Sequence, residues 1–205
     1  MTTDGTNGKG VLEEDGLRAH QYQFLARWLS APADQDLLDL TASLKGDDSD
    51  FGKALSALAA AAATAEIEAT KDEYFDLFIG IGRGELVPHG SYYLTGFLNE
   101  KPLAELRKDM GQLGIARAAD NKIPEDHIAA LCDMMNGLIL GSFGTLTKGS
   151  SLGLQSAFFN RHISPWAETF FTDLGSAKNA KLYKPLGDLG QEFMKIEETG
   201  FQMAA

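Results

Sequence analysis

Residues 74–93 read YFDLFIGIGRGELVPHGSYY. The stretch opens as the end of an apolar helix, with Tyr74, Phe75, Leu77 and Phe78 grouped on helical spacing. It then meets three glycines in five residues, Gly80, Gly82 and Gly84, which let the chain reverse where other residues resist. Pro88 and a second aromatic group, Tyr92 and Tyr93, follow. The stretch holds no evident nucleophile and no metal cage. A backbone hinge at Gly80, Gly82 and Gly84 between two greasy, aromatic surfaces suits holding a peptide better than cutting a bond.

Outward from this stretch the pattern is helical. Val11 and Val87 are the only valines, and no segment alternates apolar and polar residues in the manner of a strand. Tyr22, Leu25, Ala26 and Leu29 share one face of a helix expected over Leu12 to Leu29, behind a disordered tail at 1–10. Asp34 is placed to cap a second helix that ends near Gly46. An alanine-rich helix from Phe51 to Thr64 and another from Glu66 to Phe78 lead into the glycine loop. A short apolar turn spans Ser91 to Leu98, and Pro102 opens the next helix as its first residue.

A polar loop at 118–122 precedes Pro124, from which Ile128, Leu131, Cys132, Met135, Leu138 and Ile139 form a strongly apolar helix. The Gly/Ser/Thr-rich run from Gly141 to Ser151 reads as a mobile loop, and three helices complete the chain. Residues 11–205 are thus expected to form one all-α bundle of about nine or ten helices.

The totals agree. A chain of 205 residues fits one domain with a sizeable core. The net charge of −11 argues against nucleic acid, whose phosphates need clustered Lys and Arg, and suits a basic partner. The single cysteine, Cys132, rules out an internal disulfide and reads as a small core residue. No apolar run approaches the roughly 18 residues of a membrane span. The amino terminus has no apolar signal region, so the expected compartment is the cytoplasm, with no stable membrane insertion.

Two places invite a chemical reading. The loop Gly80-Ile-Gly-Arg-Gly resembles a phosphate cradle, with Arg83 as a cation, which would make the chain a GTP-binding helical regulator. It lacks the Lys-Ser/Thr pair and the preceding strand of a P-loop, and the simple turn is favoured. Pro124-Glu125-Asp126-His127 heads a helix, where Pro and acidic residues fit for structural reasons alone. It also sets a carboxylate beside an imidazole, but no nucleophile or metal ligand stands near in sequence. His20, His89, His127 and His162 show no metal-ligand spacing, and neither metal nor cofactor is expected.

Three segments taken together resemble the TorD/DmsD/NarJ family of redox-enzyme maturation chaperones. They are Tyr74-x-x-Leu77-Phe78-x-Gly80 with Pro88-x-Gly90-Ser91-x-Tyr93; Pro124-x-Asp126-His127; and His162-x-x-Pro165-Trp166 with Phe170 and Tyr183-x-x-Leu186-x-x-Leu189. The resemblance implies a TorD-like helical fold and a cytoplasmic chaperone, not an enzyme. It implies binding of the twin-arginine signal peptide, the apo-form of a molybdenum-cofactor oxidoreductase, or both, before export. The segment SYYLTGFLNEKPLAELR is similar to the branch serving formate dehydrogenases. The binding surface so implied comprises Tyr74, Leu77, Phe78, Pro88, Ser91, Tyr92, Tyr93, Glu125, Asp126 and His127. Asp126, with Glu125, would pair with arginine, and His127 would orient Asp126 or tune it with pH. The chain is expected as a monomer or a helix-exchanged dimer.

Overall fold

The apolar face read from Tyr22, Leu25 and Leu29 is buried, and Trp28 beside it is buried as well. Each such side chain contributes about 1.5–3 kcal/mol by leaving water, enough to hold a long helix against a core. That helix, α1 (Asn7–Ser30), runs along α7 (Ile128–Leu140), and Asn136 Nδ2 donates to the Ala19 carbonyl at 2.8 Å between them. The computed structural model describes residues 7–117, 123–143 and 150–204, with side chains of α1 from Glu13 onward. The polar loop at 118–122 and most of the Gly/Ser/Thr-rich connection lie outside the described residues. So do residues 1–6. The helix nevertheless begins at Asn7, inside the stretch expected as a tail, because extending a formed helix adds one hydrogen bond per residue without a new nucleus.

Side-chain caps set several of the next boundaries. Asp34 accepts from the Leu37 N–H at 2.8 Å to start α2 (Gln35–Ala42), and Ser49 accepts from the Gly52 N–H at 3.0 Å to start α3 (Asp50–Ala62). The helix expected from Glu66 to Phe78 is two pieces: α4 (Ile67–Tyr74) and a π-helical turn, Phe75–Ile79. The turn closes when the Gly80 N–H reaches the Phe75 carbonyl at 2.7 Å, one residue beyond α-helical reach.

There follow α5 (Gly90–Thr95), α6 (Lys101–Leu113), α7, α8 (Leu152–His162), α9 (Ala167–Ser176) and α10 (Tyr183–Met203). Among the described residues, ten α-helices in one bundle match the expected all-α class, and the one isolated β-type pairing is an antiparallel bridge between His89 and His127.

α10 is the second axis of the bundle, lying against α9 and α3. It approaches α9 closely because Gly187 and Gly190 carry no side chain there. A Cβ at Gly187 would overlap the Gly175 backbone, and one at Gly190 the Phe171 ring. A buried ionic knot ties α1, α8 and α10: Arg18 donates to both oxygens of Glu197 at 2.7 and 2.9 Å and to Gln155 Oε1 at 3.0 Å, while the Tyr22 hydroxyl donates to Glu197 at 2.9 Å.

Two further carboxylates fasten the glycine-loop region to the turn between α9 and α10. Glu73 accepts from the backbone N–H groups of Lys181, Leu182 and Tyr183 at 2.7, 3.2 and 2.8 Å. Glu85 accepts from those of Lys178 and Asn179 at 2.7 and 3.1 Å.

Candidate functional site

The two motif segments at 88–93 and 124–127 meet although some 35 residues separate them. Their backbones pair: the Gly90 N–H donates to the Asp126 carbonyl, and the Ile128 N–H to the Pro88 carbonyl, each at 2.9 Å. This pairing overturns the expectation that Pro124 is the first residue of the apolar helix. An extended backbone at His127 is needed for the bridge, so α7 starts only at Ile128 with His127 as its cap. His127 Nδ1 accepts from the Ala129 N–H at 3.1 Å.

Asp126 is 3% exposed, and one of its oxygens, Oδ2, accepts from the Ser91 N–H at 2.7 Å. It thereby caps α5, whose own preceding residue, His89, supplies no side-chain cap. The other oxygen, Oδ1, is buried without a hydrogen-bond partner, as are Ser91 Oγ and His89 Nδ1. Unpaired buried polar atoms are uncommon and costly, and three lie here on adjoining segments. Asp126 lines a cavity of about 80 Å³ with Gly90, Leu94, Glu105, Arg161 and Trp166.

Glu125 points elsewhere. Its Oε2 takes two hydrogen bonds from Arg107, at 3.0 and 2.8 Å, and Arg117 stands 3.8 Å from Oε1. Burial raises the pKa of this carboxyl, but the Arg107 hydrogen bonds and charge outweigh it, and the group stays below its ordinary range. Glu125 is thus already paired within the chain. A larger groove of about 370 Å³ runs past it, lined by Met110, Ile115, Met134 and Phe143.

The imidazoles of His89 and His127 are neutral at physiological pH. Burial, with His89 adding a little, pushes His127 down to about 3. Burial also lowers His89, against the raising influence of Asp126. The two rings meet edge to face at 4.9 Å. His127 therefore does not titrate near pH 7, and of the two roles expected for it only orientation is open. An acid–base dyad is not formed either, since Asp126 bonds Ser91 and His127 bonds Ala129. Burial raises the Cys132 thiol far above its ordinary value, which makes it a poor nucleophile.

The remaining expected residues divide. Leu77 is wholly buried, and Tyr74 and Phe78 pack on Tyr183 with ring centroids 6.1 and 5.6 Å away. Pro88 and Ser91 are buried as well. Tyr93 lies on Trp166 at 5.4 Å and donates to Asp173 at 3.0 Å. Tyr92 takes a hydrogen bond from Arg83 at 2.6 Å, and the same guanidinium covers its ring at 5.0 Å. That contact links the glycine loop to α5.

Phe75, Ile79 and the fully exposed Ile81 form the surface of the glycine-loop region, and Leu94, Phe97 and Leu98 that of the α5 end. Apart from Phe75, nothing in the sequence pattern singles these residues out, because exposure depends on neighbours that spacing does not reveal. The same holds for Arg107, Glu105 and Arg161, whose significance lies wholly in what they face.

The glycine loop is closed by the Glu85 N–H to the Asp76 carbonyl (3.0 Å) and the Leu86 N–H to the Leu77 carbonyl (2.8 Å). Gly80 and Gly82 have φ of 60° and 91°, and a Cβ at Gly84 would press on the Phe78 backbone. Gly80 follows a helix carboxyl end, which presents carbonyls and repels phosphate. With Arg83 engaged by Tyr92, the nucleotide reading finds no support. Among the described residues no His/Cys/Asp/Glu group is arranged to hold a metal, and no helix is long and apolar enough to cross a membrane.

Comparison with known proteins identifies the family to which this all-helical frame belongs. The family model described as nitrate reductase delta subunit matches residues 44–172, more than half of the chain. The chain belongs to that family, and the resemblance to the TorD/DmsD/NarJ maturation chaperones is borne out.

Relatives include the chaperone protein TorD of Vibrio atlanticus, 27% identical over 65% of this chain and 64% of that protein. TorD of Photobacterium profundum is 30% identical over 65% and 63% respectively. The chain thus spans a little under two thirds of these relatives. A crystal structure of a candidate redox enzyme maturation protein from Archaeoglobus fulgidus shares the fold, with a TM-score of 0.58 and 19% identity, covering 87% of this chain and 94% of that one.

Proposed function

We propose that the protein is a cytoplasmic maturation chaperone that binds the twin-arginine signal peptide of a molybdenum-cofactor oxidoreductase, a formate dehydrogenase by the resemblance of residues 91–107, and holds the apo-enzyme before export. The observation that carries this reading is the unpartnered Asp126 Oδ1, buried where the two motif segments join. A buried carboxylate with one oxygen satisfied and one unpaired is a site for a cationic donor, and arginine offers the planar fork that suits it. The apolar part of the leader then lies over the exposed Leu94, which lines the cavity, and the exposed Phe97 and Leu98 that follow it in the chain. The acidic chain, at −11, attracts a basic leader from a distance.

Of the residues expected to touch peptide, Ser91 serves in this reading by fixing Asp126 through its N–H, and His127 by the backbone bridge to His89 that holds the two segments together. Tyr92 and Tyr93 flank the site, and Glu125 anchors the turn through Arg107. Tyr74, Leu77 and Phe78 reach a peptide only if the Gly80–Gly84 loop swings, which is the hinge role proposed for those glycines. Titration of a molybdoenzyme leader peptide by calorimetry tests the reading. Micromolar or tighter binding is expected; no heat with leaders of formate dehydrogenase or other molybdoenzymes, together with no capture of the apo-enzyme, overturns it.

A further inference from the structure

A cavity of about 640 Å³, larger than either described above, opens between α1, α8 and α10. No residue of 88–93 or 124–127 lines it, so it stands apart from the two motif segments. Its floor is the ionic knot. Arg18 bonds Glu197 and Gln155 there, pairs with Asp15 at 2.8 Å, and lies over the Phe201 ring at 5.1 Å. Its rim is apolar, with one side chain from each helix. Leu17, Leu152 and Ile196 are 66%, 44% and 50% exposed. A single exposed aliphatic residue is ordinary, but three gathered around one hollow mark an interaction surface.

The lining has an excess of negative charge. Glu14, Asp15 and Glu197 face one guanidinium, Arg18, which leaves a formal charge of −2. Arg18 is committed to Glu197 and Asp15, and Glu14 stands exposed at the edge. Gly200 keeps the α10 wall low. Gly187 and Gly190 of the same helix are needed for its contact with α9, whereas a Cβ at Gly200 would meet nothing within 4 Å. Gly16, between the lining residues Asp15 and Leu17, is equally open. Glycine inside a helix is less stable than alanine, and packing within the chain accounts for neither position. Close approach by the backbone of a further element would.

We infer that the cavity between α1, α8 and α10 is a docking groove for a basic amphipathic helix of another protein, separate from the junction of the motif segments. Such a helix lays an apolar stripe between Leu17, Leu152 and Ile196, passes its backbone over Gly200, and sets its cations against Glu14 and Asp15. A second copy of the chain suits the groove less. Each copy carries −11, and a two-fold pairing through this face brings like carboxylates together. The chain's own residues 1–6, MTTDGT, hold no Lys or Arg and one large apolar side chain. The inference does not depend on the leader-binding reading above.

The test uses the full chain and a dye-labelled synthetic helix of about 14 residues, made of Leu and Lys with every Leu on one face. Fluorescence anisotropy reads its binding at fixed ionic strength. Saturable binding is expected, at least about tenfold tighter than that of a peptide of equal composition with its Leu scattered around the helix. The same stripe with Glu in place of Lys should bind at least about tenfold more weakly, and equal affinity overturns the basic character of the partner. Leu17→Asp combined with Ile196→Asp should weaken the basic helix at least about tenfold. That double change adds negative charge, so plain attraction between charges predicts the opposite. Gly200→Leu should weaken binding as well, by filling the groove without altering its charge. These positions are exposed, and circular dichroism verifies the fold of each variant. Equal binding of striped and scattered peptides, or of parent and double variant, overturns the inference. A dimer in sedimentation that the double variant dissociates overturns it in favour of a second copy. Displacement of the helix by a molybdoenzyme leader peptide overturns the separateness of the groove, and simultaneous binding of both upholds it.

Discussion

The backbone N–H of Ser91 donates to Asp126 Oδ2 at 2.7 Å across 35 positions of sequence. This one contact joins the start of α5 to the turn before α7 and leaves the second carboxylate oxygen buried without a partner. The structural role of one oxygen and the binding role proposed for the other therefore fall on different atoms of one side chain, and they can be separated.

Asp126→Asn keeps an acceptor for the Ser91 N–H but removes the charge. It should lower stability by no more than about 1 kcal/mol, while leader affinity falls by about 1–3 kcal/mol through the unpaired arginine. Asp126→Ala removes the cap as well and should cost about 1–2 kcal/mol of stability. Urea denaturation beside calorimetry reads the two effects apart; equal stability of the alanine variant and the parent would show the cap to be unimportant.

Glu73→Ala should be among the most destabilising single changes, by about 3 kcal/mol, because three backbone N–H groups at 181–183 lose their acceptor at once. Glu73→Gln keeps one carbonyl oxygen and should fall between. Chemical denaturation gives the order, and hydrogen exchange should show the new opening at the start of α10 rather than in α1.

Acid should unfold the protein in part through His127. Its pKa is depressed when folded, so the unfolded chain binds the extra proton as pH falls below the ordinary histidine value. The stability contributed is complete above about pH 6.5 and is lost as pH falls toward about 3. The slope reaches about 1.4 kcal/mol per pH unit at its steepest. His127→Asn should flatten the stability–pH profile between about pH 6 and 4. A profile unchanged by the substitution would mean that His127 is not the group that titrates.

Gly190→Ala should cost about 1–3 kcal/mol, because the added methyl meets the Phe171 ring between α9 and α10. Gly200→Ala on the same helix has open space around it and should stabilise slightly, by up to about 1 kcal/mol. Thermal unfolding of the pair checks the contrast.

Much of the fold is legible in the order of residues. The recurrence of Tyr22, Leu25 and Leu29, the cap at Asp34 and the near absence of valine all act within a few residues of chain. Local hydrogen bonding and helical periodicity govern such features, so they are enough to specify an all-helical bundle and the approximate place of its helices. The glycine reversal is legible for the same reason, since Gly80 and Gly82 take a left-handed backbone that other residues resist. The site is legible only as separate segments.

Which groups face one another is settled by tertiary packing alone. Asp126 and Ser91, Glu125 and Arg107, Glu73 and the start of α10 are each separated by 18 to 110 residues. No local rule links such positions. The same packing makes Pro124 part of a bridging turn rather than a helix start, and it buries Leu77, which the family resemblance assigns to a binding face. Burial, too, sets His127 well below its ordinary pKa. A side chain's exposure and charge state belong to its surroundings, and those exist only once distant segments have met.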